Sequence, residues 1–279
     1  MHALLRSALP LLLFACLLPS QAQPMEEVPF VTSPDNVTLE MLRLADVGPT
    51  DHVIDLGSGD GRIVILAAQR FGATGLGVEI DPNLVQQSRR HARDAGVASR
   101  VKFLEQDLFK TELAAATVVT MYLLPEVNMA LRPSVLALKP GTRIVSHDWD
   151  MGDWKPDQTS VLAVPDKKVG LAKSSKVHLW VVPARVNGLW CGSDASLQVT
   201  QRHQEFSARL VQGSATRALD GRIRGTALRA TSPANPPAGE AALELQATGD
   251  GLHVTGGSGA LAALQGQAFR RAPGTGCDA

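Results

Sequence analysis

Val53-Ile54-Asp55-Leu56-Gly57-Ser58-Gly59-Asp60-Gly61-Arg62 is the stretch from which the fold can be read. Val53 to Leu56 reads as a short buried strand, the alternating glycines as a turn, and Ile63 to Phe71 as a helix with apolar spacing. Glycine lets the chain turn with positive φ and removes a Cβ where a ligand or the next helix comes close. The start of the helix offers free N–H groups and the positive end of a dipole. A strand, a glycine turn and a helix in this order form the nucleotide-binding corner of a doubly wound sheet.

The spacing narrows the ligand. Dinucleotide sites read G-x-G-x-x-G, whereas here the glycines fall at 57, 59 and 61, with Asp55 two residues before the first. That Asp-x-Gly-x-Gly-x-Gly string resembles motif I of class I S-adenosylmethionine (SAM) methyltransferases. The resemblance implies that Asp55, Gly57, Ser58, Gly59, Asp60 and Gly61 surround the methionine part of SAM. In that arrangement the acid assists with its ammonium group.

Outward from the motif, strands alternate with helices. Asp35 or Asn36 is positioned to cap a helix whose apolar stripe is Val37, Leu39, Met41, Leu42 and Leu44. Gly75 to Ile80 is a second strand, followed by a helix from Pro82 to about Asp94 that Gly96 stops. Val101 to Leu104 is a third strand and Ala116 to Leu124 a fourth, read as one continuous buried run. Glu126 to Leu138 reads as a helix that Pro133 interrupts or delays, and Thr142 to Ser146 as a fifth strand. Val161 to Val164 and Lys176 to Val182 are expected as antiparallel edge strands. The class is therefore α/β, a doubly wound and mainly parallel sheet over residues 23 to 186.

After Val186 the texture changes to alternation: Leu197/Val199, Phe206/Ala208/Leu210, Leu219/Gly221/Ile223, Leu243/Leu245/Ala247 and Leu252/Val254. Asp220-Gly221 and Asp250-Gly251 read as turns or bulges, and Thr231 to Gly239 as a Pro-rich loop. Residues 187 to 279 are expected to form a small antiparallel β barrel or sandwich. It carries no catalytic cluster.

The 279 residues hold 27 basic and 27 acidic side chains, and 44% of the chain is hydrophobic. A neutral chain without a Lys/Arg cluster lacks the electrostatic footprint of a nucleic-acid enzyme, so no nucleic-acid partner is expected. Residues 1 to 22 read as a signal peptide: Arg6, an apolar run from Ala8 to Leu18, then Ser20-Gln21-Ala22 at the cleavage site. The expected location is exported, in the periplasm or the envelope, with membrane association only through an uncleaved N-terminus. Cleavage after Ala22 removes Cys16 and leaves Cys191 and Cys277, an even pair expected to bridge in an oxidising compartment.

Several side chains at strand ends carry chemistry. Glu79 lies 22 residues after Gly57 at the end of the second strand, where a carboxylate accepts both ribose hydroxyls of an adenosine ligand. Asp107 follows the third strand and suits the adenine amino group, with Ile80 and Leu108 on the two faces of the ring. Tyr122, in Tyr122-Leu123-Leu124-Pro125, follows the fourth strand and is a candidate to steer a substrate amine. His147, Asp148, Asp150 and Asp153 crowd the end of the fifth, and they read as a polar substrate rim, with no metal expected. Asp148 is the candidate to orient an acceptor amine.

Residues 28 to about 157 resemble a methyltransferase group that includes mitochondrial protein-lysine methyltransferases of the inner membrane. The shared features are Pro29-Phe30-Val31, the string Asp55 to Ile63, Gly77-Val78-Glu79 and Asp107-Leu108. The resemblance implies SAM as cofactor and a methyl acceptor that includes protein lysine. The export signal and the β unit depart from the group. Enzymes that methylate planar amides or bases carry Asn/Asp-Pro-Pro-Tyr/Phe after the fourth strand, which this chain lacks. The alternative left open is a non-catalytic exported protein that binds an adenosine-like ligand or presents the β unit.

Overall fold

The computed structural model describes residues 30–168, 172–232, 241–274 and 276–277. The export signal, Pro29 and most of the Pro-rich loop lie outside them. No helix among the described residues is long and apolar enough to cross a membrane.

The first unit runs α1 (Asp35–Leu44), β1 (His52–Leu56), α2 (Arg62–Phe71), β2 (Thr74–Glu79), α3 (Pro82–Asp94), β3 (Val101–Glu105) and β4 (Val118–Met121). It continues through α4 (Pro125–Leu136), β5 (Arg143–His147), β6 (Gln158–Ala163) and β7 (Ser174–Val181). The seven strands lie in the order β3-β2-β1-β4-β5-β7-β6. β1 to β5 are parallel, and β7 runs antiparallel to both β5 and β6.

Helices cover both faces, as a parallel sheet requires. On one, α1 and α2 bury Val37, Met41, Ile63 and Ala67 against Val53, Val118, Val145 and Val177. On the other, Val127, Leu131 and Val135 of α4 join Met151 and Trp154 over Ile54, Val119, Ile144 and Trp180.

Four expectations are corrected. Of the two late strands only β6 is an edge and β7 is interior: the run Val177 to Val181 is buried, while β6 exposes Thr159 and Val161. The fourth strand ends at Met121. Tyr122 to Leu124 leave the sheet and lead into α4, with Leu124 its extended N-cap and Pro125, which donates no N–H, its first residue. Pro133 sits inside α4 without ending it; only the bond from its missing N–H to the Met129 carbonyl is lost. The N-cap of α1 is Pro34, and neither Asp35 nor Asn36 caps it; the Asn36 amide instead reaches the Ala163 carbonyl (3.1 Å).

The second unit comprises β8 (Gly188–Cys191), β9 (Ala195–Arg202), β10 (Glu205–Gln212), β11 (Ala215–Arg224), β12 (Ala227–Ser232), β13 (Ala241–Thr248), β14 (Gly251–Gly257) and β15 (Ala268–Arg271). These strands close into an antiparallel barrel, with β15 pairing β8 and β8 pairing β9. The alternating apolar residues fill its interior, together with Ala184 and Val186 from the connector. Asp220-Gly221 is no turn: it lies within β11. A Cβ on Gly221 would come within 2.4 Å of the Arg229 carbonyl and 2.6 Å of the Phe206 ring. The β13–β14 turn falls at Gly249-Asp250, with Gly251 already in β14. Cys191 and Cys277 are disulfide-bonded.

The two units touch along the chain that follows β5. Arg202 pairs with Asp153 (3.0 Å), Arg222 with Asp157 (3.4 Å), and the Gln204 amide donates to the Lys155 carbonyl (2.5 Å).

Candidate active site

A cavity of about 740 Å³ opens at the C-terminal ends of the parallel strands, where open α/β sheets bind ligands. The glycine turn forms its floor. Gly57, Gly59 and Gly61 have φ of 71°, 52° and 82°. The Gly57 and Ser58 amides both donate to the Val78 carbonyl (2.9 Å), which fixes the turn to the end of β2.

Glu79 is held ready at that strand end. Its Oε2 accepts the Gly59 N–H (2.9 Å), and its Oε1 accepts those of Ile80 (2.8 Å) and Asp81 (3.0 Å). Three of about four lone-pair sites are thus taken. One site stays free for a hydroxyl donor of a ligand.

Asp55 is 2% exposed and accepts the Thr120 hydroxyl (2.7 Å). Burial pushes its carboxyl up to about 7, against the Thr120 bond, and the negative charges of Glu79 and Asp60 add to the rise. Burial also works to raise Asp60, but the bonds from Arg62, the closest at 2.7 Å, outweigh it and hold that carboxyl low. Ser58 lines the cavity with a buried hydroxyl that has no partner among the described residues. An orphaned donor beside a buried acid, in a cavity of ligand size, fits the polar methionine end of SAM.

Gly61 is placed behind the cavity, not in its wall. It is the N-cap of α2, packed against Phe103 and Ser88. Asp107 is in the wall, but one of its oxygens already caps the Phe109 N–H (2.9 Å) and the other faces Lys110 Nζ at 3.7 Å. Ile80 and Leu108 flank the same end, and Ile80 is 62% exposed, an apolar surface that a planar ring would cover.

The sequence reading missed one wall. Phe30, Val31, Thr32 and Ser33 lie along the cavity, and the Phe30 ring sits over Gly59. Arg62 donates to the Ser33 carbonyl (3.0 Å) and holds the segment down. The sequence marked this segment only as the shared feature Pro29-Phe30-Val31, not as part of the site. Gln106 and Phe109 also line the cavity and had no signal in the sequence.

Tyr122 lines the cavity where the chain leaves β4, beside Leu123 and Val127. Burial raises its phenol above the ordinary value, and the charge of Asp148 adds to this. Asp148 itself is not in the wall. One oxygen accepts the Lys176 N–H (2.9 Å) and the other pairs with Lys167 Nζ (2.7 Å), on a backbone at φ +63°. The other acids of the expected rim disperse too. Asp150 caps the Gly152 N–H (3.0 Å), and Asp153 pairs with Arg132 and Arg202. Among the described residues no three His, Cys, Asp or Glu side chains converge as metal ligands.

Known proteins resemble the first unit. The family described as "ANTKMT methyltransferase domain" matches residues 55–158, which stops short of the barrel. A protein-lysine N-methyltransferase of Saccharolobus islandicus is 38% identical over 157 residues, 56% of this chain and 94% of the relative. The adenine nucleotide translocase lysine N-methyltransferase of Mus musculus is 35% identical over 131 residues. There the match spans 47% of this chain and little more than half, 57%, of the mouse protein. Among solved structures, an RNA methyltransferase from Salinibacter ruber in complex with S-adenosyl-L-homocysteine is 50% identical with a TM-score of 0.50. The match covers 56% of this chain and 96% of that one. With nearly the whole archaeal relative covered at 38% identity, the chain belongs to the same family and is a class I, SAM-dependent methyltransferase.

Proposed function

We propose that the chain transfers a methyl group from SAM to the side-chain amine of a protein lysine. The observation that carries this reading is the cavity end walled by Tyr122, Leu123 and Val127, which offers an amine one hydroxyl among apolar side chains. Such surroundings penalise an ammonium ion and favour the neutral amine that can attack. SAM, when bound, supplies a methyl group on a sulfonium, a good leaving group. The protein then has mainly to align the acceptor and exclude water. The Tyr122 oxygen accepts an amine N–H and aims the nitrogen lone pair; its raised pKa keeps it a neutral phenol while it does so. Glu79, Asp107 and Ile80 hold the adenosine end, and Asp55 and Ser58 the methionine end. Asp148 acts on Tyr122 through its charge, not by touching the acceptor.

Two further points bear on the acceptor. Relatives named for lysine favour a protein substrate. The solved structure named an RNA methyltransferase favours a second reading, an RNA acceptor, against which the balanced charge of the chain weighs. We also place the enzyme outside the cytoplasm. Residues 1–22 carry an export-signal pattern, and Cys191–Cys277 is of the kind that persists in oxidising compartments. The test incubates the chain and methyl-labelled SAM with an envelope extract, then hydrolyses the product to amino acids. Label in methyl-lysine is expected. Label that ribonuclease releases, or that stays in small molecules, overturns the lysine reading.

A further inference from the structure

One imidazole joins two walls of the cavity, the Phe30–Ser33 segment and Tyr122. His147, the last residue of β5, is 1% exposed. Its Nδ1 lies 2.9 Å from the Ser33 hydroxyl, on the segment that covers the glycine turn. Its Nε2 lies 2.9 Å from the Ser175 hydroxyl on β7. Its ring stacks on Tyr122 with centroids 3.9 Å apart and planes 29° from parallel. Burial lowers His147 to about 4, so the ring is neutral, and one serine donates to it while the other accepts. Bonds at both ends fix the plane of the imidazole, and the stack passes that plane on to the phenol. Ser33 is fixed on its other side, since its carbonyl accepts from Arg62 of the motif.

We propose that His147 is a positioning residue that couples the Phe30–Ser33 wall of the cofactor cavity to the placement of Tyr122. Closing that wall over the cofactor then sets the phenol where the acceptor amine must arrive, so donor and acceptor sites are ordered together. The cost of leaving Ser33 unpaired falls on the imidazole, which would otherwise keep one buried nitrogen without a partner. The proposal rests on Tyr122 standing at the acceptor end, but not on the nature of the acceptor.

Tyr122 is the only tyrosine in the chain. Ring-¹³C tyrosine labelling therefore gives one signal that reports on this side chain, and S-adenosylhomocysteine serves as the probe ligand. In the wild-type full chain, adding the probe should shift the Tyr122 signal. Ser33→Ala removes one hydroxyl and leaves His147 and Tyr122 in place. It should weaken probe affinity by about fivefold, as expected for one lost buried hydrogen bond, and at saturation the Tyr122 shift should be less than about half that of the wild type. Ser33→Thr, which restores the hydroxyl, should restore both. Ser175→Ala breaks the other anchor, and should move or broaden the Tyr122 signal while probe affinity stays within about twofold, since Ser175 is outside the cavity.

A purely structural histidine would lower the melting temperature in these variants and leave the Tyr122 response intact. That result overturns the proposal, as does a loss at Ser33→Ala that threonine does not rescue. If Ser33→Ala fails to fold, an unmoved Tyr122 signal in Ser175→Ala overturns it alone. A wild-type signal that ignores bound probe contradicts the placement of Tyr122 at the acceptor end and overturns the proposal with it.

Discussion

At Asp55 a buried carboxyl with a pKa of about 7 lines the cavity, and the proposed function sets the ammonium of SAM beside it. Below pH 7 the free protein holds a proton there, and the ammonium favours the carboxylate. SAM affinity should therefore fall as pH drops below 7, by up to about tenfold per pH unit, and binding should release a proton. Calorimetry at pH 6 and 8 in buffers of different ionisation enthalpy checks this, and Asp55→Asn should flatten the profile. That Asp55, Glu79 and Asp107 line one cavity was legible in the sequence because each stands at a fixed distance from a strand end. Asp148 was legible as a strand-end acid but not in its role. The Lys167 ammonium and Lys176 amide that occupy its oxygens come from later in the chain, and nothing local announces them. The Ser33–His147 bond joins residues 114 apart and has no local signature at all.

Among the elements, α2 depends most on a single residue. Gly61 has φ +82°, and a Cβ there would meet Ser88 and the Phe103 ring at 2.7 Å. Gly61→Ala should destabilise the chain by roughly 1–3 kcal/mol from backbone strain, with the contact adding to it. Urea unfolding measures the loss, which should exceed that of Gly96→Ala, where φ is also positive but nothing lies within 4 Å. The helices and parallel strands were readable because apolar periodicity and glycine stops are local. What was not readable was which late strand lies inside. Only the registers Arg143↔Val181 and Gln158↔Leu179 put β7 between β5 and β6. Likewise, the apolar run through Leu124 concealed the end of β4, since Tyr122 and Leu123 turn from core to cavity wall without a change of composition.

Over the whole molecule, the two units share an interface but not the cavity, whose residues all fall between Phe30 and Val127. The bridge Cys191–Cys277 spans 86 residues, and its loop-closure entropy gives about 4.5 kcal/mol to the barrel. Denaturant unfolding with and without dithiothreitol should show that loss in the barrel transition, while S-adenosylhomocysteine affinity stays unchanged. Alternation disclosed the barrel strands, but not that they close, because closure depends on β15 returning to β8 from the far end of the unit. The whole reading stands on the strand-end cavity, with Glu79 at its heart, binding SAM. It is tested most directly by calorimetric titration of S-adenosylhomocysteine into the wild-type chain and Glu79→Ala. The account predicts one site in the wild type and a loss of more than about 1.5 kcal/mol in the variant, over tenfold in affinity, as charge-assisted bonds to buried hydroxyls disappear. Equal affinities in the two proteins would contradict it.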